Sequence, residues 1–467
     1  MQLQFNNTFI SPNAIKPKTL TLKNPTTQIK QIMFLCMTIM FCSISNAQTT
    51  TAILDSNFEQ VLINFGIDTN GLNGNILNSE AEAVISLNIY EENIHDLTGI
   101  EAFVNLKHLY SYSNNITTLD LSNNIYLEVL DIENNSLETL NINQNTFLKE
   151  IYVSNNLLET LTVSHLPNLE LLSCNLNNLS TLNVLNNPEL EVLWCYSNNL
   201  NTLDVSSNYE LESLFCGNNN LSALNISNNY DLHTLSCSDN NLPTISFSQC
   251  SDISYIDISN NNFTELDLSI NTGLKRLLCE NNNITELELF NAPELFLLHA
   301  SNNLINEIDL SMNDDLRFVR LGNNNLNSLD IRNDRNHRIS SFNAQGNNNL
   351  SCIFVDDVLA TYLANWIIDN SSSFVANETD CNALSTEEIT KTLTIEMYPN
   401  PATDYIHIKN VDADAQISIY NVNGQLIKRH ATSIQGNSVN VASLSSGLYI
   451  VKVAYLNQSV TKKILIN

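Results

Sequence analysis

Five cysteines fall on a single 21-residue grid: Cys174, Cys195, Cys216, Cys237 and Cys279. Thiols at so regular a spacing could ligate a metal, relay electrons, pair into a disulfide ladder or only fill space. The eight histidines (His95, His108, His165, His233, His299, His337, His407 and His430) supply no HExxH or other two-ligand spacing. Neither a GxSxG nucleophile elbow nor a P-loop occurs. The 49 Asp+Glu allow many accidental carboxylate pairs of the kind glycoside hydrolysis needs, and none stands out. The chemistry therefore turns on what the grid is.

Cut every 21 residues from Val104, the chain superposes on itself through Asp334, giving 11 successive units without insertion. The shared pattern is L-x-x-L-x-Φ-x-x-N-x-L-x-x-L-x-Φ-S-x-N, with Φ apolar. A longer first unit starts near Val84, and a slipped last one carries Ile339, Phe342, Ala344 and Leu350. Such repetition predicts a solenoid, in which each coil contacts only its neighbours. Within LEVLWCYSN (190–198), alternation sends Leu193 and Cys195 to one side and Val192, Trp194 and Tyr196 to the other.

The cysteine position is taken in other units by Ser111, Ile132, Val153, Ile258, Ala300 and Leu321. That is an inward slot for a small or medium side chain, and free cysteine is among the most buried residue types. A straight row cannot converge on a tetrahedral metal. Neighbouring strands lie within disulfide range, but side chains pointing the same way suit bridging poorly. The pattern thus favours packing over an occasional disulfide, and both over a metal. Cys250 is left over and is assigned to a turn, whereas Cys352 and Cys381 lie off the grid and bracket the segment behind the last unit. In an exported chain that pair reads as a disulfide. The first N of the pattern recurs from Asn114 to Asn324, a ladder of amides able to satisfy backbone groups inside the coil.

Over roughly residues 84–355 the pattern resembles the leucine-rich repeat family, in its short bacterial 21-residue class with a doubled L-x-x-L. The resemblance implies a curved right-handed coil with one short strand per turn, forming a parallel sheet on the concave side. The fold expected is mainly β. It is a solenoid of about 12–13 coils with small terminal caps, followed by a small immunoglobulin-like β-sandwich.

The domains expected are a signal peptide and leader (1–47), an N-terminal cap (48–83), repeats (84–350), a C-terminal cap (351–381), a linker (382–395) and a final module (396–467). The front cap opens on Ser56-Asn57-Phe58-Glu59, read as a capping box, with Phe58, Val61, Leu62 and Phe65 able to cover the first coil. Residues 66–76, GIDTNGLNGNI, depart from a calcium loop at Leu72 and read as a plain turn. A helical turn around Val358–Trp366 closes the rear.

The final module shows short alternating strands separated by turn residues. Tyr398-Pro399-Asn400-Pro401, then Ile417–Tyr420 with Asn423-Gly424, then Gly447-Leu448-Tyr449, then Lys462-Lys463 follow in order to the chain terminus. Together they resemble the type A sorting domain of proteins exported by the type IX secretion system of Bacteroidota. That resemblance implies engagement of the secretion machinery, passage through the outer membrane and removal of the domain, then release or surface attachment. At the other end, the apolar run MFLCMTIMFCS (33–43) is too short to span a bilayer. Followed by Ser45-Asn46-Ala47, it reads as a signal peptide cleaved before Gln48. The expected location is secreted or on the outer cell surface, with no transmembrane segment.

Twenty Lys+Arg against 49 Asp+Glu argue against nucleic acid, whose phosphates need a basic face. No Lys or Arg occurs between Glu150 and Leu274. The outward strand positions line up as Tyr110, Asp131, Tyr152, Ser173, Trp194, Phe215, Ser236, Asp257, Leu278, His299 and Arg320, flanked by residues such as Tyr112, Tyr196 and Tyr255. Tyr152, Trp194, Tyr196 and Phe215 are the partner-binding candidates, because interfaces favour Trp and Tyr anchors. The expectation is a non-enzymatic binding protein without metal or cofactor that recognises a protein, or a glycan. The rivals are a structural or adhesive surface coat component and, behind it, a glycan hydrolase.

Overall fold

A computed structural model describes residues 48–384, 395–410, 415–431, 438–455 and 458–467. The leader and most of the linker lie outside these residues. Among the described residues no helix is long and apolar enough to cross a membrane.

The repeats coil around one continuous core that runs from Ile53 to Trp366. Each turn contributes a three-residue strand, such as Val192–Trp194 or Ser213–Phe215, whose central leucine is buried while its neighbours face out. Thirteen such strands form one parallel sheet from Ser86–Asn88 to Ser341–Asn343. Register advances by 21 residues, as Leu193 pairs with Leu214. It differs at the ends, where Leu87 pairs with Leu109 and Val319 with Phe342. A bridge from Asn343 to Ile367 adds one further rung. The solenoid therefore runs to about 14 turns rather than 12–13, because the rear segment forms coil as well as cap.

The asparagine ladder does what its spacing predicts. Asn198 Nδ2 donates to the carbonyls of Cys174 (3.0 Å) and Cys195 (3.1 Å), while its Oδ1 accepts from Leu179 N–H at 2.9 Å. Each amide thus ties three segments of two coils together, and the same bonds recur at Asn177 and Asn219. The pattern's last N forms a second ladder that the sequence reading left without a role. Asn208 Nδ2 donates to Val184 O (3.0 Å) and Asn187 O (2.7 Å), and Asn229 repeats the arrangement one coil on.

A third row sets the bend. The residue before each first-ladder asparagine, from Ser113 to Asn323, has φ between 50° and 58°. Asn, Asp and Ser hold ten of these 11 positions, and Asn and Asp tolerate left-handed backbone best among non-glycine residues. The exception is Leu176, exposed at φ 54°. Leu176→Asn should stabilise the fold by about 1 kcal/mol, since it relieves that strain. It would also join the exposed amide row in which Asn155 Nδ2 already reaches Asn134 Oδ1. Urea denaturation followed by circular dichroism measures the gain, and a loss of stability would contradict the account.

The front cap departs in detail from the sequence reading, and the rear one follows it. The front helix, Ser56–Asn64, is capped by Asp55 rather than Ser56, because Oδ1 of Asp55 accepts from Asn57 and Phe58 N–H. Its Oδ2 also accepts from His95 N–H, pinning the helix to the first repeat. Glu59 does not turn back to the cap. Its buried Oε1 accepts from the N–H groups of Asn73, Gly74 and Asn75 and so organises the 66–76 loop. Phe58, Val61 and Leu62 cover the first coil, but Phe65 ends the helix and points outward, 54% exposed. At the rear, a 3-10 helix at Thr361–Asn365 brings Trp366 onto Phe342, ring centroids 4.2 Å apart. Cys352 and Cys381 are disulfide-bonded with Cα atoms 5.8 Å apart. Four parallel strands, Glu307–Asp309, Ser328–Asp330, Cys352–Phe354 and Ser373–Val375, make a second sheet in the last coils.

Residues 396–467 form two antiparallel sheets of three and four strands around their own core of Ile406, Ile417, Val439, Val451 and Ile464. The strands Gln416–Asn421 and Leu426–Ala431 meet at a turn where Gly424 takes φ +73°, which favours glycine.

Candidate functional site

The grid cysteines are fully buried and unbridged. Burial pushes the thiols of Cys174 and Cys216 up to about 12, and those of Cys195 and Cys237 well above their ordinary range. They are held as thiols in an apolar slot, which suits neither metal ligation nor nucleophilic attack. Cys250 is no leftover: it stands at the second-ladder position, 21 residues after Asn229. Its Sγ lies 3.7 Å from Ile226 O and 3.4 Å from Asn229 O, where the asparagines place Nδ2. A thiol-alkylating reagent should label none of the six buried thiols in the folded chain from Gln48 onward and all six after denaturation, as read by mass spectrometry. Labelling of a grid cysteine in the folded chain would contradict the packing role.

The long parallel sheet presents an open face. Trp194 is 36% exposed and meets Phe215 edge to face, with centroids 6.2 Å apart. Phe215 in turn stacks on Tyr255 at 6.5 Å. Tyr196 is half-buried in the neighbouring column. Tyr152 stands two strands away from Trp194, with Ser173 between them. Its hydroxyl donates to Glu150 at 3.0 Å, and burial with that acid pushes its pKa up to about 12. The four candidates therefore divide: Trp194 and Phe215 form a cluster completed by Tyr255, while Tyr152 belongs to an acidic corner.

That corner holds Asp131, Glu133 and Glu150 beside Tyr110 and Tyr152, which flank Asp131 in the sheet register. Burial, reinforced by the neighbouring Glu133, pushes the Asp131 carboxyl up to about 6. Ser173 Oγ donates to Glu133 at 3.1 Å and lies 2.6 Å from Ser154 Oγ, and both hydroxyls reach Asn175 Oδ1. Farther along, His299 lies 3.8 Å from Glu280 and is lowered by burial and by Arg320. Tyr90 extends the face unannounced, stacking on Tyr112 at 4.6 Å with rings nearly parallel. It escapes the 21-residue grid because the first coil is one residue longer. Among the described residues, no three His, Cys, Asp or Glu side chains are placed to hold a metal ion.

Residues 396–467 match the family model of the secretion system C-terminal sorting domain. No curated protein matches the chain. Among solved structures, the functional domain of InlJ from Listeria monocytogenes, described as including a cysteine ladder, is similar at TM-score 0.58 and 22% identity. That match covers 90% of this chain and 99% of InlJ's. The internalin InlF from Listeria monocytogenes is similar at TM-score 0.56 and 22% identity, covering 70% of this chain and 97% of its own. At this identity the likeness speaks for the fold. The class is a leucine-rich-repeat solenoid. This particular chain joins that solenoid to a type IX sorting domain, which indicates export to the cell surface or beyond.

In the sorting domain, Asn400 Oδ1 accepts from Leu465 N–H at 2.8 Å and its Nδ2 donates to Lys463 O at 3.3 Å. The first motif is thereby latched to the last strand, with Pro399, Pro401, Lys462 and Lys463 exposed around it. Tyr449 hydroxyl donates to Ser445 O at 2.9 Å, fixing the turn ahead of the strand that begins at Gly447.

Proposed function

We propose that the chain is an exported, non-enzymatic binding protein whose concave sheet recognises a protein ligand. The observation that supports this most is the Trp194–Phe215–Tyr255 cluster on an open parallel sheet, since exposed aromatic clusters of this kind act as interface anchors. Thirteen strands at about 4.8 Å each give a face on the order of 58 Å long, which suits a macromolecule better than a small ligand. Delivery falls to residues 396–467 and recognition to the solenoid.

A structural or adhesive coat component is the competing reading. It is favoured by the packing of the same rings on one another, which could satisfy them without a ligand. The chain from Gln48 to its end, used as bait on surface extracts of the producing organism, separates the two. The expected result is a protein retained by the wild type and lost by Trp194→Ala/Tyr196→Ala/Phe215→Ala, whose circular dichroism is unchanged. Identical captures would favour the coat, and capture of a glycan in place of a protein would change the ligand class.

A further inference from the structure

The acidic corner of the concave face has no cation of its own. Lys107 pairs with Glu128 at 2.6 Å and Lys149 with Glu170 at 2.7 Å, so the two lysines of these coils are engaged elsewhere. No Lys or Arg follows until Lys275. Among the described residues Asp131, Glu133 and Glu150 take part in no ion pair with Lys or Arg. Their surroundings are nevertheless built. The buried Ser173, itself bonded to the buried Ser154, donates to Glu133, and Tyr110 and Tyr152 stand on either side of Asp131.

Partly buried carboxylates gain most from a cation delivered with a partner, because the attraction acts where water screens it least. Tyrosine faces favour guanidinium or ammonium groups for the same reason. We propose that this corner seats a lysine or arginine side chain of the protein partner, between Tyr110 and Tyr152 and against Asp131 and Glu133. The inference rests on the concave-face reading and specifies the chemistry of what it binds. Trp194 lies three strands from Asp131, about 14 Å at the usual strand spacing. The partner therefore presents a basic residue about that far from an apolar patch. Protonation of Asp131 removes part of the attraction, so affinity falls as the pH drops below about 6.

The probe is a labelled hexa-arginine amide, titrated by fluorescence anisotropy at physiological ionic strength against the chain from Gln48 onward. Because a strongly acidic protein attracts any polycation, the comparison is between two variants of equal charge change. Asp131→Asn/Glu133→Gln removes the corner, and Glu189→Gln/Glu191→Gln removes two exposed acids off the face. The corner variant should bind about tenfold more weakly and the control within about twofold of wild type. Equal losses in both, or none in the corner variant, overturn the proposal. The same two variants serve as baits for the captured protein. If the aromatic variant loses that protein and the corner variant keeps it, the cation seat is wrong and the concave-face reading stands. If neither loses it, the concave-face reading itself is wrong.

Discussion

A chain ended at Asn382 should accumulate inside the outer membrane with its solenoid folded. The repeats and their caps form a core that shares no residue with that of the last module, so removing 396–467 leaves recognition intact and deletes delivery. Fractionation of the producing organism, with protease added to whole cells, measures the outcome. The full chain should be cut at the surface or found in the medium, and the truncated one should be protected. Efficient surface display of the truncated chain would show that export does not use this domain. A finer version follows from the latch. Asn400→Ala frees Leu465 N–H and Lys463 O together and loosens the first motif from the last strand, leaving only the backbone bonds of Ala402 to join them. If the machinery reads the two as one surface, this single change should reproduce much of the truncation. Lys462→Ala, which keeps the latch, should impair export less.

The largest effect on stability is expected at the first asparagine ladder. In Asn198→Asp the oxygen that accepts from Leu179 N–H remains, but the amine facing the carbonyls of Cys174, Cys195 and Tyr196 becomes a second oxygen. A buried carboxylate is thereby aimed at three acceptors, and the expected cost is about 4 kcal/mol or more at pH 7. Asn198→Ala, which only leaves those groups unpaired, should cost about 2–3 kcal/mol. The sign with pH separates the two. Burial raises the folded-state pKa of the new carboxyl above its unfolded value, so its penalty grows as pH rises through the folded value and shrinks on acidification. Urea denaturation at pH 7 and pH 5 should therefore show Asn198→Asp recovering toward wild type at the lower pH while Asn198→Ala does not. Because coils couple only to neighbours, a broken middle coil should also divide the transition and lower the m-value. Asn198→Asp within about 1 kcal/mol of wild type at pH 7 would refute the ladder's role.

Whatever is periodic was legible in the sequence. Leu193, Cys195 and Asn198 each repeat a choice made in many coils, and repetition turns a weak local preference into a firm assignment of inside and outside. The misplaced features are those used once. Asp55 caps the front helix because it can also reach His95 and Asp96, partners about 40 residues away that no local motif announces. Phe65 is apolar at helical spacing, yet it follows the last helical turn and so faces solvent. Tyr90 was hidden by a single additional residue, and Cys250, rightly assigned to a turn, stands in a row of asparagines to which the pattern alone gave no role. On the open face of the long sheet, alternation identified most of the outward side chains, but Ser173 and Ser236, placed in the same row, are buried by their larger neighbours. Alternation could not show that Trp194 and Phe215 gather with Tyr255 while Tyr152 turns to Glu150, since side-chain direction along the sheet is set by neighbouring coils.

The uniform register of the middle coils bears on how such a chain changes length. From Leu109 to Val319 every rung meets the next through the same pairing, so a coil copied or lost as a 21-residue block presents to its new neighbour the surface it presented to the old one. Tandem duplication is then nearly silent to the fold and alters only the reach of the face, by about 4.8 Å per copy. The unbroken run Cys174, Cys195, Cys216 and Cys237 has the form such copying would leave behind. The two ends, with their 22- and 23-residue offsets and their once-used caps, are where the same event would be lethal to the structure. Variation in repeat number should therefore be confined to the interior, and the caps mark the boundaries within which the protein is free to grow.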